Sequence, residues 1–400
     1  MTPRTDSDSD SDFDFDSGSA ADPLLRTFGE LYGGDPAGVW AAPGRVNIIG
    51  EHTDYNDGFA LPMALPQSTR VAARRRDDDL LRLHSAQGDG RITEIPVGGL
   101  APGAVTGWAR YPAGAVWALA EAGHAVGGAD LHIDSTVPTG AGLSSSAALE
   151  CAVAVAYDGL YGLDLPGPEL ARLAQRAENA FAGVPCGIMD QMASVCCVEG
   201  AALHLDSRTL DHRHVPFDLA THDLSLLVID TRVKHDLADG AYAELRAGCE
   251  RAARLLGLPA LRDLPVDRLG EALRALPAEL VPLVRHVVTE DARVAEAVVR
   301  LVAGDVPALG PLLTAGHASL RDDYRISCAE TDLAVEAAVA AGALGARMTG
   351  GGFGGSVIAL TPAALAPAVT GAVTTAFARA GHRPPGLLHA APSQGARRLA

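Results

Sequence analysis

The sequence predicts an α+β protein of two domains, and three observations carry that expectation. Four hundred residues are more than one simple core needs. Apolar residues make up 48% of the chain, so it can bury those cores, yet no apolar run reaches the ~18–20 residues of a membrane span. Strand-like segments crowd the first part and helical ones the last, which fits α+β better than a regular βαβ series. No internal repeat is present.

Taken in order, an amphipathic helix starts near Pro23 and carries Leu24, Leu25, Phe28, Leu31 and Tyr32 on one face. Short strands follow over 39–42, 45–49, 60–64, 69–75 and 80–84, punctuated by Gly and Asp. Trp108 opens a helical stretch toward residue 122, and 131–136 is another strand. A glycine–serine loop leads into a long apolar helix over 145–160. Residues 166–182 are again helical, with Glu169, Arg172, Arg176 and Glu178 on the polar face. Strands are expected over 203–205 and 224–230, with a domain boundary in the polar stretch 207–223. Helices then dominate: 242–256, 269–276, 279–289, 292–303, 306–319 and 332–341. A glycine cluster, a strand over 357–360 and a helix over 364–380 complete the pattern. The division expected is an acidic tail over 1–22, one domain over 23–215 and a second over 216–400.

The net charge of -17 opposes binding to nucleic acid or anionic membranes, although a local basic cleft for ATP is compatible with it. Residues 1–22 alternate Ser and Asp with little to bury, which predicts a disordered tail; they lack the basic start and apolar stretch of a signal peptide. Lys234 is the only lysine and follows no glycine loop, so any use of ATP proceeds without a P-loop. The six cysteines form neither Cys-x-x-Cys nor a zinc spacing, which points to reduced thiols in the cytoplasm.

Three stretches carry chemistry. The first is Pro-Gly-Arg-Val-Asn-Ile-Ile-Gly-Glu-His-Thr-Asp-Tyr over 43–55, where Arg45, Glu51, His52 and Asp54 are spliced into an apolar run. Unpaired buried charge costs several kcal/mol. These residues therefore suit either a charged turn on a strand edge or a strand feeding a polar cleft, and such a cleft fits a polyhydroxylated ligand. The second is Val-Pro-Thr-Gly-Ala-Gly-Leu-Ser-Ser-Ser-Ala-Ala-Leu-Glu over 137–150. Gly140 and Gly142 permit a tight turn, and Ser144, Ser145 and Ser146 stand at a helix start, where phosphate is favoured. Simple N-capping would need only one serine. Downstream, Asp190 lies among Ile188, Met189 and Met192, either as a first-turn aspartate or as a paired, functional carboxylate. The third stretch has five glycines over 350–355, either a flexible turn or a loop packed on a neighbouring loop or ligand.

The first stretch, with its continuation to Met63, resembles the N-terminal signature of galactokinases. The second resembles the Pro-x-x-x-Gly-Leu-Ser-Ser-Ser-Ala signature of the GHMP kinases. Gly-Val-Pro-Cys-Gly-Ile-Met-Asp-Gln over 183–191 and the glycine cluster after Arg347 follow in the family's order. Segments 231–237 and 320–330 are similar too, and the resemblance spans roughly 23–390. Tyr242-Ala-Glu-Leu-Arg departs from the paired arginines of many relatives, which leaves any role of an arginine at Leu245 in doubt.

The resemblance implies the GHMP fold: an N-terminal domain like the second domain of ribosomal protein S5, and a ferredoxin-like C-terminal domain. It implies ATP-dependent phosphorylation of D-galactose at the anomeric hydroxyl. Asp190 and Arg45 would be catalytic. Glu51, His52, Asp54, Gly187 and Tyr242 would bind sugar. Trp108 and Gly140, Ala141, Gly142, Leu143, Ser144, Ser145, Ser146 and Ala147 would bind ATP. Glu178 with Ser145 or Ser146 would hold Mg²⁺, whose preference for a few oxygen ligands suits one carboxylate, a hydroxyl and phosphate oxygens. A cytoplasmic monomer is expected. A kinase for N-acetylgalactosamine or arabinose is the nearer alternative. A galactose-sensing regulator without activity is the further one, though the intact Ser146-Ala147, Glu178 and Asp190 weigh against it.

Overall fold

The computed structural model describes residues 22–233 and 238–400. The expected disordered tail, apart from Asp22, and Lys234 lie outside the described residues. The chain opens with α1 (Pro23–Tyr32), β1 (Gly38–Asn47), β2 (Phe59–Ala60), β3 (Pro62–Arg75), β4 (Leu80–Ser85) and β5 (Thr93–Pro96). It continues through α2 (Arg110–Glu121), β6 (Ala129–Ser135), α3 (Ser145–Tyr161), α4 (Gly167–Arg176) and α5 (Met189–Cys196). Then come β7 (Ala201–Asp206), β8 (His212–Pro216), β9 (Leu224–Asp230), α6 (Ala238–Leu255), α7 (Leu269–Ala275), α8 (Val281–Val302) and α9 (Leu309–Ser319). The rest is α10 (Ala329–Ala340), β10 (Gly345–Thr349), β11 (Ser356–Pro362), α11 (Ala366–Ala380), β12 (Gly386–Ala390) and β13 (Arg397–Arg398).

One sheet runs β13-β1-β3-β6-β4-β5, a second β10-β11-β9-β12, and a small third β2-β7-β8. On one face of the first sheet, Val71, Leu83 and Leu131 pack with Val116 of α2 and Val153 of α3. The second sheet buries Ile229, Val357 and Met348 against α6, α8, α10 and α11. A further core crosses between these halves: Val46, Ile48, Leu61 and Leu143 meet Val228, Val294, Leu309 and Ile358. That continuous apolar contact holds stretch 43–55 and the glycine cluster 350–355 in register. Residues 393–400 return to the first sheet, where β13 pairs with β1 and the Val39 N–H donates to the Ala400 carbonyl at 3.0 Å.

Several elements differ from the sequence expectation. Residues 62–64 and 69–75 are parts of one strand, β3, while Ala60 ends β2. Pro43 pairs Ser68 and Arg45 pairs Ala64, so 65–67 bulge opposite Gly44, and Pro66 sits where a missing N–H breaks no ladder. The helices expected over 279–289 and 292–303 are a single α8. The polar run Thr289-Glu290-Asp291 is no break, because both its carboxylates turn inward onto backbone N–H groups of another segment. The stretch 207–223 contains β8, paired with β7. Helix α4 ends in a π-helical turn, Ala177–Phe181, that carries Glu178; such turns recur at functional sites.

Candidate active site

Arg45, Glu51, His52, Asp54, Gly187, Asp190 and Tyr242 converge where β1, the loop 48–58, the start of α5 and the start of α6 meet. Arg45 is nearly fully buried on β1. Its Nε and one terminal nitrogen each donate to an Asp190 carboxylate oxygen at 2.8 Å, and its other terminal nitrogen donates to the Gly142 carbonyl at 2.7 Å. The guanidinium thus joins the Asp190 carboxylate to the glycine–serine loop by a planar fork. Glycine at 44 permits this approach, since a Cβ there would meet the Leu143 carbonyl at 2.7 Å.

The glycine–serine loop turns through Gly140 and Gly142 at positive φ, and Ser144 also adopts a left-handed conformation at φ 58°. The Ser144 hydroxyl donates to Asp190 Oδ2, so this serine is committed to the carboxylate. Ser146, in the first turn of α3, donates to Glu178 Oε1 at 2.7 Å. Ala147 is buried at the helix start. The third glycine cluster packs on this loop: a Cβ on Gly350 would lie 2.9 Å from the Gly142 carbonyl, and the Ser356 hydroxyl donates to the Ala141 carbonyl at 2.7 Å.

Two clefts meet at the loop. One, of about 270 Å³, is lined by Arg45, Ser144, Asp190, Tyr242 and Gly351. The other, of about 470 Å³, is lined by Ser85, Gln87, Trp108, Tyr111 and Leu149. Gly140, Ser145 and Ser146 border both. A ligand occupying both clefts must therefore pass its middle across the helix start of α3, where N–H groups and the dipole favour anionic groups.

The loop 48–58 supplies the acidic groups. Asp54 accepts from the Tyr55 N–H at 3.0 Å and the Met189 N–H at 3.3 Å. Burial and then the charge of Asp190 push its carboxyl up to about 6. Gly187 lies so close that a Cβ would sit 1.7 Å from Asp54 Oδ2. Glu51 is buried against Arg347 and accepts from the Gly350 N–H at 3.4 Å. Burial, only partly offset by Arg347, pushes its carboxyl up to about 7. His52 Nδ1 lies 2.8 Å from the Tyr55 hydroxyl, and burial lowers the imidazole to about 3, so the ring is neutral. The Tyr242 ring centroid is 5.5 Å from that of His52 and 5.3 Å from that of Tyr55.

Glu178 is nearly fully buried, and its second oxygen accepts from Gln191 Nε2 at 2.7 Å. Burial raises its carboxyl above the usual range, and the charge of Asp190 adds to this. Glu150 stands one helical turn after Ser146 on α3, fully buried, and neither of its carboxylate oxygens meets a donor among the described residues. Burial and the charge of Glu178 raise it well above normal. Two buried carboxyl groups and the Ser146 hydroxyl beside the glycine–serine loop are hard oxygen ligands of the kind Mg²⁺ takes.

Sequence reasoning missed Glu150, Gln191 and Arg347 as parts of this region. Arg347 offered the signal that had flagged Arg45, a cation inside an apolar strand. Glu150 and Gln191 sit in motifs already singled out, but only the packing of α3 against α5 reveals that they face Glu178.

Family models match residues 26–75 (galactokinase galactose-binding signature), 110–197 (GHMP kinases N terminal domain) and 294–379 (GHMP kinases C terminal). The chain is 60% identical to a galactokinase of Streptomyces coelicolor over 93% of its own length and 97% of that protein. It is 53% identical to one of Streptomyces lividans, over 94% and 95%. It also superposes on the crystal structure of Lactococcus lactis galactokinase complexed with galactose, with a TM-score of 0.90 and 34% identity, covering 94% of this chain and 99% of that one.

Proposed function

This chain belongs to the galactokinases, within the GHMP kinases, and from that membership we propose how its own residues carry the γ-phosphoryl group of ATP to the anomeric hydroxyl of D-galactose. The observation that carries the reading is the Arg45–Asp190 pair, which stands in the smaller cleft beside the glycine–serine loop shared by both clefts. Galactose occupies the smaller cleft and the adenosine part of ATP the larger, with its triphosphate across the loop.

Phosphoryl transfer depends on positioning and charge stabilisation more than on covalent help from the protein. Asp190 accepts the anomeric O–H and aims its oxygen at the γ-phosphorus. Arg45 fixes both Asp190 oxygens, so the carboxylate cannot rotate away, and its positive charge offsets charge on the phosphoryl group in flight. Ser144 holds Asp190 from the other side. Asp54, Glu51, neutral His52, the Gly187 backbone and Tyr242 read the remaining sugar hydroxyls and the ring face. Trp108 stacks on adenine. The backbone of 140–147 and Ser145 receive the phosphates. Glu178 with Ser145 or Ser146 would hold Mg²⁺, which when bound neutralises charge on the phosphate oxygens.

In this reading residues 23–215 form the N-terminal domain and 216–400 the C-terminal one, whose last residues, 393–400, add back to the first sheet, and the enzyme is a cytoplasmic monomer. No helix among the described residues is long and apolar enough to cross a membrane. A coupled assay of ADP release over a panel of hexoses tests the assignment. Galactose should be turned over and glucose, its C4 epimer, should be poorer by at least ~100-fold in kcat/KM, as expected where fixed hydrogen bonds read a hydroxyl. Comparable turnover of both sugars would overturn it.

A further inference from the structure

Loop 48–58, which the proposed function places around the sugar, is fastened to a different part of the chain. Consecutive carboxylates of α8 hold its two ends: Glu290 Oε1 accepts from the Gly50 N–H at 2.9 Å, and Asp291 Oδ1 from the Phe59 N–H at 2.8 Å. His286, one turn earlier on α8, places its Nε2 3.1 Å from the Glu51 carbonyl.

Glu290 is itself fully buried and would be too costly to keep charged without cations. Arg293 donates to its Oε2 at 2.7 Å, and Arg347 of β10 to its Oε1 at 2.7 Å. Arg347 is wholly buried too, and its other terminal nitrogen is paired with the Glu51 carboxylate. One guanidinium therefore touches the loop twice: directly through the Glu51 side chain, and through the carboxylate that receives Gly50. Both contacts fall at the loop's entry, four residues or fewer before Asp54.

We propose that Arg347 is a positioning residue for the sugar: it makes no contact with the reacting atoms but sets where Glu51 and Asp54 stand. The inference rests on the placement of galactose against loop 48–58. The ion cluster lines neither cleft; it reaches the smaller one through loop 48–58, whose Asp54 packs against Gly187 and Met189, and no residue of 48–58 or 183–190 lines the nucleotide cleft. Loss of Arg347 should therefore separate the two ligands. A role confined to stability would weaken both together or neither.

The experiment measures galactose affinity without nucleotide, and affinity for a non-hydrolysable ATP analogue without sugar, by titration calorimetry on the full chain. In Arg347→Met, galactose should bind ~10-fold to 10²-fold more weakly, the scale of loss from misplacing contacts by about 1 Å. The ATP analogue should stay within threefold. Because Arg347→Met leaves Glu290 one cation short, the double variant Arg347→Met/Glu290→Gln is measured beside it. The amide keeps an acceptor for Gly50 and removes the charge at Glu290, though not that at Glu51, so it should recover part of the melting temperature while galactose affinity stays low. Full recovery of galactose affinity in the double variant, or parallel losses for both ligands, would overturn the proposal. If the wild-type chain itself fails to bind galactose, the sugar assignment fails instead. Near wild-type galactose affinity in folded Arg347→Met would refute the role of Arg347 and leave the assignment standing.

Discussion

Replacing Gly187 with alanine is the sharpest test of the sugar cleft, because the perturbation is one methyl group. A Cβ at 187 would lie 1.7 Å from Asp54 Oδ2 and 2.5 Å from Oδ1, whereas real Cβ contacts essentially never fall below 3.0 Å. Asp54 must therefore withdraw by about 1.3 Å, the difference between 3.0 and 1.7 Å. The carboxylate is not free to swing, since the Tyr55 and Met189 N–H groups both donate to it. Its retreat would stretch these bonds and carry its oxygens away from the sugar. A misplacement of ~1 Å commonly costs ~10²-fold, which corresponds to about 2.7 kcal/mol of transition-state stabilisation. We expect kcat/KM for galactose in Gly187→Ala to fall by ~10²-fold in the ADP-release assay, mostly through weaker galactose binding in calorimetry. The KM for ATP should change little. Activity within threefold of wild type would refute the close packing of Gly187 on Asp54 as a determinant of the site.

Four further outcomes are expected. Asp190→Asn should lose at least ~10²-fold in kcat, the low end for a positioned acid–base group, with a smaller change in galactose affinity; near-normal turnover would remove Asp190 from the mechanism. Glu178→Gln should shift the Mg²⁺ dependence of turnover to higher concentration while galactose binding without nucleotide is kept, and the reverse pattern would move Glu178 to the sugar site. Trp108→Ala should raise the KM for ATP by ~10-fold or more, on the scale of an aromatic–base stack, without changing galactose affinity in calorimetry. The Asp54 carboxyl, pushed up to about 6 by burial, accepts sugar hydroxyls best when ionised, so kcat/KM for galactose should fall as pH drops through about 6. Asp54→Asn should be weak at all pH values and lack that midpoint. The same raised value means that between about pH 4 and 6 the native state binds the extra proton, so this group's contribution to stability declines as pH rises through that window.

Much of the fold was legible because its signals are local. The long apolar stretch exposed α3, and a short apolar run exposed β9. The glycine–serine loop announced a turn before a helix. What stayed hidden depends on partners far along the chain. Strands β5, β8, β10, β12 and β13 are short or polar and become strands only by adding to neighbours. Thr289-Glu290-Asp291 looked like a helix break because nothing local says that Gly50 and Phe59 wait opposite. The candidate site shows the same division. Arg45, Asp54, Asp190 and Tyr242 stood out by residue type and motif, and the structure brings them together. The link from Ser144 to Asp190 rests on a left-handed backbone at a serine, a conformation that sequence does not signal. Glu150 is hidden by its place inside an apolar helix.

The pairing of β13 with β1 has a consequence for biosynthesis. The sheet that presents Arg45 is completed by residues 397 and 398, and the Ser393 and Gly395 N–H groups donate to the Ala64 and Cys197 carbonyls. Translation proceeds from the amino end, so the edge of this sheet stays open until residues 393–398 have left the ribosome. During that interval the nascent β1 edge offers unpaired backbone groups to any other chain, the usual opening for association errors. Chaperone capture of nascent chains should therefore persist through synthesis of the second half, and end only when the segment around 393–398 closes the edge.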